Sequence, residues 1–111
     1  MKNIKLYISD ILESVEKIEE YTNSISEAEF LKNTQSQDSV IRRIEIIGEA
    51  VKRIPSEFRD KHPDIPWKKI AGMRDILAHE YASVLMSRVW KVAKEDILTL
   101  KVQIGKFSKT I

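Results

Sequence analysis

VIRRIEIIGEAVKRIP, residues 40–55, is the stretch that decides the fold. Val40, Ile44, Ile47, Val51 and Ile54 recur at steps of four and three, the spacing that lines up side chains on one face of a helix with about 3.6 residues per turn. Ile41, Ile46 and Ala50 flank the stripe. So wide an apolar face predicts a central helix that touches neighbours on more than one side. Gly48 stands inside it, where glycine costs about 1 kcal/mol relative to alanine. A glycine there predicts close approach of another backbone, and Pro55 predicts the helix stop.

The same period extends outward in both directions. Ile4, Ile8, Ile11, Val15 and Ile18, with Leu12 beside them, predict an amphipathic first helix ending near Tyr21–Ser24. Ser26 and Glu29 have capping-box spacing and predict a short second helix with Phe30 and Leu31 as its apolar contacts. Beyond the central helix, PSEFRDKHPDIPW carries three prolines and predicts a connector with at most one helical turn. Pro66 suits the first position of a new helix, where its missing N–H costs nothing. PWKKIAGMRDILAHEY then reads as a helix interrupted or re-aimed at Gly72. Met86, Trp90, Ala93, Ile97, Leu100, Ile104 and Phe107 predict one last helix. No repeat, low-complexity tract or strand pattern is present. The expectation is an all-α, up-and-down four-helix bundle with one or two short extra helices, a single domain over residues 1–111. Leu12, Ile41 and Ile46 are additional apolar positions that predict surface for a second subunit, hence a homodimer; alternatively they thicken a monomer core.

Composition sets bounds on function. The 111 residues are 32% charged and 42% hydrophobic, the balance of a soluble globular domain. The absence of cysteine excludes a disulfide framework, a thiolate metal site and a cysteine nucleophile, and it fits a reducing cytoplasm. No apolar run approaches the roughly 20 residues of a membrane-spanning helix, and the first 20 residues lack the pattern of a secretory signal. Net charge is +2, but residues 1–30 carry three lysines against seven carboxylates, and the remainder is basic. That asymmetry suits attraction of a polyanion to one surface, although a solvated helix face has the same composition.

Two histidines are present. His62 lies in the proline-rich connector and reads as a solvated or capping residue. His79 lies in GMRDILAHEY, where Asp75 precedes it by one helical turn and can fix its tautomer through a hydrogen bond. Arg74 and Tyr81 are two turns apart and share a face. Arg74 and His79 stand about 140° apart on an ideal helix. For both to reach one phosphate, the helix must unwind near His79, Arg74 must reach around, or the site must be built from two protomers. The competing interpretation is an ordinary interface with an Arg–Asp pair, a capping histidine and a rim tyrosine. His79-Glu80 lacks the second histidine of a zinc-protease helix, and there is no carboxylate cluster, Walker loop or dinucleotide-binding glycine pattern, so no metal or cofactor is expected. Trp67 and Trp90 read as packing anchors.

The runs IEIIGEAVKRIP, IPWKKIAGMRDILAHEY and VWKVAKEDILTL, in this order and at these separations, resemble the HepT-like proteins, a branch of the HEPN superfamily. The resemblance extends from the first helix to about Leu100. It implies an all-helical homodimer that is the toxin half of a toxin–antitoxin pair: a metal-independent endoribonuclease, neutralised when a minimal nucleotidyltransferase transfers AMP from ATP onto a tyrosine. Carried onto this chain, the R-x4-H-x-Y motif makes Arg74 and His79 the catalytic pair, Asp75 the supporting polar residue and Tyr81 the AMP acceptor. Two positions depart from the pattern. Asp75 stands where the family often has asparagine, and Leu85 where an acid often caps the last helix. A non-catalytic helical module that binds a nucleotidyltransferase is the main alternative, followed by a structural adaptor. A helix-turn-helix DNA binder would need a short glycine-containing turn where this chain is rich in proline.

Overall fold

The computed structural model describes residues 3–79 and 86–106, the side chains of residues 76–79 excepted. Among these residues the structure is helical, with no strand. Helix α1 spans Ile4–Asn23, α2 Glu27–Leu31, α3 Thr34–Arg53, α4 Ser56–Asp60 and α5 Trp67–His79. The last helix is built in three pieces: α6 over Met86–Lys91, a π-helical turn over Val92–Asp96, and α7 over Ile97–Gly105.

The long helices form the expected up-and-down bundle. Lys101 reaches Glu19 at 3.0 Å and Lys94 reaches Asn23 at 2.9 Å, so the C-terminal helix runs antiparallel to α1. Gln103 Nε2 donates to the Asp64 carbonyl, and Lys69 faces Asp96, which sets it antiparallel to α5 as well. Helix α3 packs between α1 and α5. The predicted stripes supply the core: Ile8, Ile11, Val15 and Ile18 from α1, Val40, Ile44, Ile47 and Val51 from α3, and Ala93, Ile97, Leu100 and Ile104 from the last helix join one buried cluster.

The signals read at Ser26, Phe30, Pro55 and Trp67 acted as expected, and Leu31, expected as a second apolar contact of α2, did not. The capping box is complete, with Glu29 N–H donating to Ser26 Oγ at 3.1 Å and Ser26 N–H to Glu29 Oε1 at 3.0 Å. Phe30 is fully buried, whereas Leu31 is exposed. Asn33 caps α3 by accepting from Ser36 N–H. Helix α3 ends at Arg53, two residues before Pro55. Trp67 is buried and its indole N–H donates to the His62 carbonyl at 3.0 Å.

Three expectations need correction. Helix α5 runs unbroken through Gly72, because a glycine that no described residue packs against gives a helix no reason to bend. The last helix is not a single α-helix. Its π turn gives the segment before it a different phase, so that Val89 is buried while Trp90 is half-buried against Phe30, ring centroids 5.2 Å apart. Ile41, reserved above for a second subunit, is buried in the chain's own core, and Leu12 packs against that core. Leu6, Leu98 and Val102 are instead the large hydrophobic side chains that are more than half exposed among the described residues.

Candidate active site

Helices α3 and α5 approach closely at one point, and the sequence dictates where. A Cβ on Gly48 would stand 2.1 Å from Cβ and 2.7 Å from Cγ of Arg74. Any larger residue at 48 would push the helices apart, so Gly48 lets the root of the Arg74 side chain lie on the α3 backbone. The next residue holds the other end. Glu49 Oε1 accepts from Arg74 Nη2 at 3.1 Å, which fixes the guanidinium at the seam. Arg74 keeps about a quarter of its side-chain surface exposed, and its Nε is buried without an acceptor among the described residues.

Asp75 is bonded in the same lattice. Its Oδ1 accepts from Lys52 Nζ, one turn beyond Gly48 on α3, and at 3.4 Å from Arg74 Nη1. Two cations and two carboxylates therefore alternate across the α3–α5 seam. The hydrogen bond from Lys52 holds the Asp75 carboxyl below the ordinary range, with Lys52 and Arg74 charge adding to it against a smaller opposing cost of burial. Glu49 holds the Arg74 guanidinium above its ordinary value, mainly through the hydrogen bond, so the arginine stays charged.

Of the predicted site residues, the structure brings Arg74 and Asp75 together on the exposed side of the seam. His79 is the last described residue of α5, and its side chain lies outside the described residues, as do Tyr81 and Leu85 in their entirety. The expected Asp75–His79 contact is thus outside the description too. The unbroken course of α5 to His79 removes unwinding before the histidine as a way of aligning it with Arg74. Sequence reasoning missed Glu49 and Lys52. The nearest signal was Gly48, which marks where another helix approaches but not which neighbouring residues pair across the seam. Among the described residues no group of three metal-ligating side chains occurs, and no helix is long and apolar enough to cross a membrane.

A cation held by its stem and its head at a helix seam can present fixed donors to a phosphate. Comparison with known proteins points to the same chemistry. The family model described as "Ribonuclease HepT-like" matches residues 11–107. A Thermococcus cleftensis protein named "Probable ribonuclease HepT" is 50% identical over 95% of this chain and 93% of its own length. A Methanocaldococcus jannaschii protein named "Gamma-glutamylcyclotransferase and putative RNase" is 50% identical over 99% of this chain, which spans only half of that relative. Another protein of that organism, named as a "Putative RNase", is 42% identical over 99% of this chain and 91% of its own length. No solved structure matches significantly. With its helical bundle, its seam arginine and relatives half-identical along nearly its whole length, this chain belongs to the HepT-like family of ribonucleases.

Proposed function

We propose that this chain is a metal-independent endoribonuclease, the toxin of a toxin–antitoxin pair, and that it acts as a cytoplasmic homodimer through its R-x4-H motif. The observation that carries the reading is the double anchoring of Arg74, by Gly48 beneath its stem and Glu49 at its head, on the helix that runs to His79. A guanidinium fixed in this way offers a phosphate two parallel N–H groups.

Cleavage without metal needs a base for the 2′-hydroxyl, an acid for the departing 5′-oxygen and a cation on the phosphoryl oxygens. His79 takes the 2′ proton; the 2′-oxygen bonds to phosphorus while the bond to the 5′-oxygen breaks. The 5′-oxygen receives its proton from the partner subunit's His79, leaving a 2′,3′-cyclic phosphate and a 5′-hydroxyl. Proton transfer by a positioned imidazole is worth about 10²–10⁴-fold, and Arg74 stabilises charge as it develops on the phosphate. A two-fold axis next to α5 answers the angular separation of Arg74 and His79, since each groove then draws on both chains. Tyr81, two residues after His79, is the acceptor on which a cognate nucleotidyltransferase places AMP, closing the groove to RNA by bulk and like charge.

Two measurements test this. Cleavage of a labelled RNA in chelator should fall at least a hundredfold in His79→Ala; undiminished cleavage contradicts the mechanism. Incubation with the cognate nucleotidyltransferase and ATP should add AMP to the wild type and not to Tyr81→Phe, by intact mass. Binding of that enzyme without cleavage of any RNA would favour the non-catalytic helical module.

A further inference from the structure

Glu49, Lys52, Arg74 and Asp75 meet where α3 lies on α5, and their formal charges cancel. For a site that must receive a polyanion, the awkward member is Asp75. It is adjacent to Arg74, about half exposed, and able to compete with a phosphate for the same guanidinium. Its bonding shows how that competition is contained. Asp75 Oδ1 accepts a hydrogen bond from Lys52 Nζ, whereas the Arg74 Nη1 contact to the same oxygen is long, at 3.4 Å. Lys52, from the neighbouring helix, is the group that chiefly holds this carboxylate.

We infer that Lys52 is a positioning residue of the RNA site: by holding the Asp75 carboxylate it keeps Arg74 available to the scissile phosphate. This rests on the ribonuclease reading above. Each terminal nitrogen of a guanidinium carries two N–H groups. With Glu49 on Nη2 and a weak Asp75 contact on Nη1, donors remain for a phosphate. Without Lys52, the freed carboxylate closes onto Nη1, and an uncompensated negative charge faces the incoming RNA. At an effective dielectric of about 20, one such charge within several ångströms of a phosphate weakens binding by about tenfold or more. The effect falls on association, so it raises KM and leaves the chemical step largely alone.

The test is a double-mutant cycle, read by steady-state RNA cleavage and by fluorescence anisotropy with an uncleavable 2′-deoxy-substituted oligonucleotide. Lys52→Gln should raise KM and the Kd for that oligonucleotide about tenfold, with kcat within about threefold of wild type. Lys52→Arg should stay within about threefold on every measure. Asp75→Asn in the Lys52→Gln background should recover most of the lost affinity, because the neutral amide needs no countercharge. A purely structural ion pair would behave differently, since its loss lowers folding stability and leaves the affinity of the folded protein for the oligonucleotide unchanged. Lys52→Gln with wild-type KM, or a double variant no better than Lys52→Gln, overturns the inference while the ribonuclease reading stands. A wild type that cleaves no RNA overturns both. Lys52 is substantially exposed, and circular dichroism of each variant confirms the fold.

Discussion

A methyl group added at Gly48 would meet the Cβ of Arg74 at 2.1 Å, whereas one added at Gly72 would meet nothing within 4 Å among the described residues. Both glycines lie inside helices, so alanine should gain about 1 kcal/mol of helix propensity at either position. At 72 that gain stands, and Gly72→Ala should raise stability by about 0.5–1 kcal/mol in urea melts. At 48 the overpacking cost exceeds it, and Gly48→Ala should lose about 1–3 kcal/mol while displacing Arg74. Asp75 gives a second residue-scale test. Its carboxyl is held low first by the hydrogen bond from Lys52. A lowered carboxylate stabilises the fold above its unfolded value of about 3.9 and loses that contribution as pH falls through the folded value. The stability difference between wild type and Asp75→Asn should therefore be level from neutral pH to about pH 4 and vanish in stronger acid. A difference that stays level or grows as pH falls through the acid range below about 4 would contradict this assignment. Gly48 was legible in sequence because a glycine amid Ile47, Ala50 and Val51 has few other reasons to be there. Glu49 and Lys52 were not, because on one helix they look like any solvated face. Only the register between α3 and α5 turns them into partners.

Among the elements, α2 is the smallest whose energetics can be separated into local and tertiary parts. Its capping box is exposed and reciprocal, so Ser26→Ala should cost about 1 kcal/mol. Phe30 is fully buried and packs on Trp90 of α6, so Phe30→Ala should cost about 3–5 kcal/mol and change the tryptophan fluorescence. Equal costs for the two variants, by denaturant titration, would contradict this division. Element boundaries were readable where a capping box or proline marked them, as at Ser26 and Pro55, whereas the Asn33 cap of α3 was not read. The π turn over Val92–Asp96 was not readable: Trp90, Ala93 and Ile97 fit an ordinary α-helical stripe, and only packing against Phe30 and α1 exposes the extra residue. Gly72 misled in the opposite direction, since glycine permits a bend without requiring one.

The whole bundle was legible because three stripes with one period, and a fourth helix opened by Pro66, leave few other ways to bury them. The use of the extra apolar positions was not. Those assigned to a second subunit were Leu12, Ile41 and Ile46, yet Ile41 is consumed by the core and Leu12 packs against it. A wide stripe on a central helix serves neighbours in the same chain first. If the site draws on two subunits, sedimentation should give twice the 12.9 kDa chain mass at concentrations where RNA is cut; a monomer active at those concentrations contradicts the shared groove. The central claim, that a seam-anchored arginine and the histidine five residues on act together on one phosphodiester, is tested most directly by the ends of the RNA products. Wild-type protein in chelator should leave 2′,3′-cyclic phosphate and 5′-hydroxyl ends, with the rate falling at least a hundredfold in Arg74→Ala and in His79→Ala alike. Products bearing 5′-phosphate, or full cleavage by either variant, would contradict it.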